Sequence, residues 1–470
     1  MGRTIGKGSR WTALALAILG ISGCEGVLEI DQGGIIVLDD VLAGGPSAVE
    51  PLVNGMVATY QEAVDDLIRY ASLLTDEMIL AGTFETRAQV DRRKIQPNND
   101  TLEDEMYSPL HVARMQADTV VEILQSRIQD PAFESVEEEM REGIALGKLY
   151  GGLTRLWLAE LYCWSILTGM YPEAAPLTPN QRVQQAITFL QDAETRAAIA
   201  GFEDIRIAAI AAQARAFLWL RNYTQAGTLA AEVPKDFRFW AEYSQNDPVQ
   251  FNEMFMFTWG RIQSIQWTVG DGTVPTRGGE RFEHLDRFIS LNLIRDEPEN
   301  FTATISSIPV MLQTLYGRAD AKVLVASGTE AMLIRAETLI RGGQTQAAQG
   351  LLNDLRSDHS FRATVQWNVA PPSDENELQP LVLAGNIGAD LKTVADERAR
   401  ELWLTGDRLT TSRRLRLDPT VSINLFPPVK TGISGGDDIA FPMVQVELDS
   451  NPNLNPGQAC PAGQAAGSWR

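Results

Sequence analysis

Only three cysteines and three histidines occur in 470 residues. So few cysteines exclude a disulfide-stapled scaffold. The histidines, His111, His284 and His359, show no HExxH or other close ligand spacing, so no metal site is expected. GxSxG elbows and GxxxxGKS/T loops are also missing, which removes the two commonest sequence signs of acyl transfer and nucleotide hydrolysis. Gly270-Asp271-Gly272, with Gly278-Gly279 after it, follows no clear strand and opens no helix, so no phosphate cradle and no cofactor are expected there. Basic residues are scarce: 40 Lys and Arg stand against 61 Asp and Glu, a net charge of −21. Such a surface repels phosphate backbones, so nucleic acid is not an expected partner, and it keeps the protein in solution.

What is present begins at the N-terminus. Arg3, Lys7 and Arg10 precede a short, mostly apolar run from Trp11 to Ile21, too short to span a bilayer comfortably. The run ends in Ile21-Ser22-Gly23-Cys24, the pattern of a lipobox: an aliphatic residue, two small residues, then a cysteine. A peptidase must bind the small residues extended in a narrow cleft, and the Cys24 thiol would carry the diacylglycerol. Several acyl chains, each contributing roughly 0.8 kcal/mol per buried methylene, anchor firmly. No later segment has about 18 consecutive apolar residues, so the lipid alone would hold the protein. Glu25, Glu29 and Asp31 give the tether an acidic start like that of lipoproteins displayed on outer membranes. Removing residues 1–23 leaves 447 of the 470 residues and moves the net charge from −21 to −24.

The remaining chain is dominated by helical periodicity. Leu146, Leu149, Tyr150, Leu153, Leu156, Trp157 and Leu161 recur at three- and four-residue steps and share one helix face. Helices also fit Pro51 to Leu74, Thr101 to Gln125, Gln181 to Ala200, Ile205 to Leu220, Glu330 to Arg341 and Gln344 to Arg356. Two stretches resemble each other: Ala214-Arg215-Ala216 through Leu220-Arg221 to Tyr223-Thr224-Gln225-Ala226, and Ile334-Arg335-Ala336 through Ile340-Arg341 to Gln344-Thr345-Gln346-Ala347. Each reads as a helix, a tight turn and a second helix opening with small residues. A lone hairpin cannot bury its apolar face, so stacked hairpins of the tetratricopeptide kind are expected. The interval from about Pro234 to Pro309, the segment Ala370 to Ile387 and the tail after Asp418 lack sustained period and read as irregular, with few short strands.

Five segments, in order behind the lipobox, resemble the SusD/RagB outer-membrane nutrient-binding lipoproteins. They are Leu52-Val53-Asn54-Gly55-Met56 before Asp76-Glu77; Met106-Tyr107-Ser108-Pro109-Leu110 before Gln116-Ala117-Asp118; and Leu333-Ile334-Arg335-Ala336-Glu337 before Leu352-Asn353-Asp354-Leu355-Arg356. Glu397-Arg398-Ala399-Arg400-Glu401-Leu402-Trp403 with Gly406-Asp407-Arg408 and Arg413-Arg414 follows, then Phe441-Pro442-Met443 with Glu447-Leu448 and Asn451-Pro452-Asn453-Leu454. Two positions depart from the family pattern: Asp118 stands for an asparagine and Ser412 for an aspartate. The resemblance implies a mainly α, SusD-like domain over residues 24–470. Its helical scaffold would occupy approximately 40–235 and 310–415, its loop-rich binding face approximately 236–309 and 360–395, and an irregular C-terminal segment 418–470. It further implies capture of a nutrient, oligosaccharide or peptide, and delivery to a SusC-type, TonB-dependent transporter of the outer membrane.

The charged residues Glu397, Arg398, Glu401, Asp407, Arg408, Arg413 and Arg414 could pass for an acid/base cluster. Their helical spacing instead suits arginine forks that lock neighbouring helices, so a structural role is expected. Aromatic faces are the better ligand platforms. Within the irregular interval the run Phe251 to Trp259 alternates like a half-buried strand, which leaves Trp240, Tyr243 and Trp267 as the loop-borne candidates for ligand contact. No catalytic residue is assigned. The competing readings are a helical-repeat scaffold lipoprotein of the outer membrane and a surface glycoside hydrolase, whose two acids any fold could assemble.

Overall fold

The computed structural model describes residues 45–80, 82–163, 176–260, 267–268, 294–296, 311–357, 378–427, 429–430, 433–434 and 436–453. Residues 1–44, with the expected leader and Cys24, lie outside this set, as do His284, His359 and Cys460. Twelve main helices organise the described part. They are α1 Val49–Leu74, α2 Glu85–Asp91, α3 Ser108–Arg127, α4 Glu137–Leu161, α5 Pro179–Ala200, α6 Glu203–Trp219, α7 Tyr223–Ala230, α8 Gly328–Arg341, α9 Thr345–Ser357, α10 Ile387–Glu401, α11 Asp407–Arg416 and α12 Gln445–Ser450. The helices expected from periodicity are all present.

Their ends follow from local chemistry. The helix α5 opens with a reciprocal box: the Gln181 amide donates to the Thr178 hydroxyl (3.3 Å) while the Thr178 amide donates to Gln181 Oε1 (2.9 Å). Pro179 occupies its first turn, and Gly201 ends it at φ +84°. Between those caps Val183, Ala186, Ile187, Leu190, Ala193 and Ala197 form one buried stripe. The two similar stretches are helical hairpins. In the first, Asn222 accepts the Gln225 amide (3.2 Å) at the start of α7; in the second, Gly343 turns the chain at φ +74°. Neighbours in sequence pack as neighbours in space from α3 through α4, α5, α6 and α7 to α8, and α8 then meets both α9 and α10. Gly227 of α7 lets α8 approach closely: a Cβ there would lie 2.8 Å from Thr338 Oγ1.

Antiparallel pairs of short strands complete the fold. β1 (Ile79–Leu80) pairs with β3 (Trp267–Thr268), β2 (Arg238–Ala241) with β6 (Val323–Ser327), β4 (Ile294–Asp296) with β5 (Met311–Gln313), and β7 (Val429–Lys430) with β8 (Ile433–Ser434).

The charged segment proves structural. Arg398 donates to Asp407 and to the Thr411 hydroxyl (3.0 Å). Arg408 forks onto Asp76 (2.7 Å to each oxygen), and Arg414 forks onto Glu337. Arg413, fully buried, donates to the carbonyls of Ala159, Glu160 and Tyr162, closing the end of α4. These guanidinia join α11 to α4, α8 and α10 and to Asp76 just beyond α1, so they lock the scaffold from inside.

Three local expectations differ from the structure. Phe251 to Trp259 is not a strand. Asn252 accepts the Phe255 amide (3.0 Å) and starts a helical turn, Glu253–Phe255, which runs into a π-helical turn, Met256–Gly260. An Asn cap overrode the alternation. Residues 387–395, expected among loops, form the first half of α10, started by Asn386 accepting the Gly388 (3.0 Å) and Ala389 (3.1 Å) amides. The short helix α12 interrupts the C-terminal segment expected to be irregular.

Candidate ligand-binding site

The second half of α1 reads Asp65-Asp66-Leu67-Ile68-Arg69-Tyr70, three charges inside an apolar run, and all six residues are buried. Such charges persist in a core only when paired. Arg69 lies one turn after Asp66 and donates to its Oδ1. Its guanidinium also reaches Glu105 Oε2 (2.6 Å) and Glu253 Oε2 (3.4 Å). Those two carboxylates belong to, or directly precede, two π-helical turns, Glu103–Tyr107 and Met256–Gly260. π-helical turns are uncommon and cluster at functional sites. Arg69 therefore ties both turns to the scaffold.

Around it the groups interlock. Tyr70 donates its hydroxyl to Glu105, Arg87 of α2 donates to Glu105 Oε1 (2.9 Å), and the Glu253 amide donates to Asp65 Oδ2 (2.7 Å). Aromatic rings alternate with the cations. The Arg69 guanidinium sits 3.9 Å from the Phe257 ring centroid, Arg87 lies 4.8 Å from the same ring, and Arg87 lies 4.8 Å from Phe84. The ladder ends at the surface, where Phe84 is 55% exposed. Side chains of Glu105 and Glu253 keep about a third of their surface, 29% and 34%. Glu62 is exposed one turn before Asp66.

The electrostatics follow from this crowding. Burial raises Asp66 to about 7, with Arg69 opposing and Glu253, Glu105 and Glu62 adding to the rise. Burial and Asp66 together push Asp65 well above the carboxylate range. Burial, then Glu253, raises Glu62. The site thus presents half-exposed carboxylates able to accept hydrogen bonds from hydroxyls, beside an exposed aromatic face supported from behind by cations. Among the described residues no group of three or more His, Cys, Asp and Glu is arranged to hold a metal ion.

The three aromatic candidates fall in different places. Trp240 is not on a loop: it lies half-buried in β2, opposite Leu324 of β6. Tyr243 follows that strand, packs half-buried on the core and donates its hydroxyl to the Gln61 carbonyl (2.7 Å), which places it beside Glu62. Trp267 is in β3 rather than a loop, opposite Leu80 of β1, and β3 contacts the Met256–Gly260 turn. Its side chain lies outside the described set. Tyr243 and the Trp267 backbone therefore adjoin the ladder, whereas Trp240 sits on a different pair of strands. Both Trp240 and Trp267 pair with distant strands, β6 and β1, which no local pattern announces. Phe84, Arg87, Arg69, Glu105 and Glu253 escaped the sequence reading. The one available signal was the Asp-Asp-x-x-Arg charge step inside the apolar half of α1.

No protein-family model matches the chain, and no curated protein matches it. Solved structures do. A SusD superfamily protein from Bacteroides thetaiotaomicron superposes with a TM-score of 0.62 at 14% identity, covering 89% of this chain and 99% of the other. A SusD/RagB family protein from the same organism gives 0.63 at 11% identity, with 86% and 94% covered. A SusD-like carbohydrate binding protein from Bacteroides fragilis gives 0.58 at 14% identity, with 87% and 99% covered. The chain has the SusD-like fold.

Proposed function

We propose that this is a lipid-anchored, cell-surface binding protein that captures an extracellular nutrient, oligosaccharide before peptide, and passes it to a TonB-dependent outer-membrane transporter of the SusC type. The observation that carries the reading is a SusD-like fold spanning nearly the whole chain behind a lipobox ending in Cys24. Fold alone does not assign function, so the site supplies the chemistry. Sugars offer apolar ring faces to aromatic side chains and hydroxyls to carboxylates, and Phe84, Glu105 and Glu253 present both. Tyr243, beside Glu62, and Trp267, whose strand contacts the Met256–Gly260 turn, are kept as further ligand contacts, and Trp240 as a separate one. Catalysis is not part of this reading: the buried acids Asp66 and Asp65 accept from Arg69 and from the Glu253 amide.

A glycan and peptide array probed with the purified protein tests the binding step. Retention of at least one oligosaccharide, weakened in Phe84→Ala, is expected. Deleting the protein should reduce uptake of that same ligand, and the transporter should co-purify with it. Release of reducing ends by the purified protein would instead establish a hydrolase. Recovery of assembly machinery with no TonB-dependent receptor would establish the scaffold reading.

A further inference from the structure

Residues 436–447 run as a strap behind the ligand face, with Ile439, Ala440, Phe441, Met443 and Val444 buried in it. The Phe441 amide donates to the Leu161 carbonyl (2.8 Å) and the Cys163 amide to the Phe441 carbonyl (3.2 Å), which fixes the strap along the end of α4. The strap also holds the loop after α2. Arg93 donates to the Asp438 (2.9 Å) and Pro427 (3.0 Å) carbonyls, the Ile95 amide to Asp438 Oδ2 (2.7 Å), and the Gln445 amide to the Pro97 carbonyl (2.9 Å). This seam is strained. Arg93 holds φ +56°, and a Cβ at Gly436 would lie 2.0 Å from the Arg93 carbonyl oxygen. Strain of this kind persists only where the surroundings over-determine it, and it concentrates near functional sites.

Tyr107 joins the strap to the site. Glu105 and Tyr107 stand two residues apart on the π-helical turn Glu103–Tyr107, so their side chains leave it on different sides. Glu105 faces the ladder, where it accepts from Arg69 (2.6 Å), Arg87 (2.9 Å) and the Tyr70 hydroxyl. Tyr107 is buried against the strap. Its hydroxyl donates to Glu447 Oε1 (3.1 Å) and lies 3.8 Å from Met443 Sδ. Its ring meets Tyr162 edge-on, with centroids 5.4 Å apart, and Tyr162 lies 5.8 Å from Phe441 of the strap. The turn that carries Glu105 is therefore pinned from both sides.

We propose that Tyr107 is a positioning residue of the ligand site, its bond to Glu447 tying the Glu105 turn to the strap. The same strap holds the loop after α2, the short helix that begins directly after Phe84. One strap thus keeps the Glu105 carboxylate and the Phe84 ring in a common frame, although neither Tyr107 nor Glu447 is assigned a ligand contact. A site loosened at its support loses affinity even when every contacting side chain is intact. This inference rests on the ligand-site reading and adds the residues that hold that site in shape.

Calorimetry on the full-length protein tests it, with the oligosaccharide retained most strongly on the glycan array as the probe. Tyr107→Phe keeps the ring packing and removes the hydroxyl alone. Binding should weaken about five-fold, with the melting temperature within about 2 °C of wild type. Glu447→Gln, which keeps an acceptor oxygen, should restore most of the affinity that Glu447→Ala loses. In a Glu105→Gln background Tyr107→Phe should cost little further, because both changes act through one carboxylate. An unchanged affinity in Tyr107→Phe, or an equal loss in both backgrounds, overturns the positioning role alone. So does a fall in melting temperature that accounts for the lost binding. An array on which wild type retains no oligosaccharide overturns the oligosaccharide reading of the site, and this inference with it.

Discussion

Phe84 shows how one residue can be both exposed and rigid. A phenylalanine at 55% exposure gains little from burial, yet Arg87 stacks behind its ring, Phe257 behind Arg87, and Arg69 behind Phe257. A stacking contact of this kind is worth about 0.5–1.5 kcal/mol. Phe84→Ala should therefore weaken glycan binding roughly three- to ten-fold while leaving the melting temperature within about 1 °C. Titration calorimetry beside thermal denaturation separates the two; equal loss of stability would assign Phe84 to packing. Arg69→Ala should act in the opposite proportion. It strands Asp66 and breaks ties to Glu105 and Glu253, and loss of one partner from a buried ion network costs about 3–5 kcal/mol.

The same buried acids set a pH dependence whose sign is unusual. Burial raises Asp66 to about 7, Glu77 to about 8 and Glu330 to about 7. A carboxyl raised in the folded state binds its proton more tightly there than in the unfolded chain. Its contribution is complete below the unfolded value and is lost as pH rises through the folded one. Stability should therefore rise as pH falls from about 8 toward 5. Glu337, lowered despite its burial by the forked Arg414, and Asp418, lowered by its hydrogen bonds to Thr420 and by Arg341, work the other way, and their contribution is lost as pH falls through their depressed values. Urea midpoints from pH 4 to 9 should peak on the acid side of neutrality. A maximum at pH 8 would contradict the raised values of these three carboxyls.

Among elements, the hairpins were legible and the ligand flank was not. The stripe on α5 and the Ala-rich faces of α6 and α7 carry their period within about twenty residues, the range over which a local pattern reports burial. The internal match of Ala214–Ala226 with Ile334–Ala347 correctly announced two stacked hairpins. By contrast, β2 is a strand only because β6 arrives from more than eighty residues later, and the segment leading into the Met256–Gly260 turn is held by the Glu253 amide donating to Asp65 across the fold as well as by the local Asn252 cap. Long-range pairs of this sort leave no periodic trace. Their tightest joint is Gly328, where a Cβ would lie 2.0 Å from the Pro234 carbonyl oxygen and 2.4 Å from that of Lys235. Both obstacles are backbone, so neither can rotate aside. Gly328→Ala should cost at least about 2 kcal/mol, lowering the melting temperature of the purified protein and raising exchange at β2 and β6. A neutral result would mean that the β2–β6 joint is looser than drawn.

For the whole molecule the governing question is what holds it at a membrane. Among the described residues no helix is long and apolar enough to cross one. The net charge, −21 for the whole sequence and −24 if residues 1–23 are removed, is repelled by anionic headgroups and would supply no electrostatic anchor. On the proposed lipoprotein reading, attachment rests on acyl chains on Cys24, at roughly 0.8 kcal/mol per buried methylene. Two consequences distinguish this from adsorption. Wild-type protein should stay with the outer-membrane fraction through a wash at about 1 M salt, where the Debye length falls to about 3 Å and ionic contacts are screened. Cys24→Ser should incorporate no labelled palmitate and should leave the membrane entirely, while its folded body keeps ligand affinity unchanged, since the ladder from Phe84 to Arg69 makes no use of the tether. Cys24→Ser protein that remained membrane-bound after the wash would require a protein partner as the true anchor, and the transporter would be the first to test by co-purification.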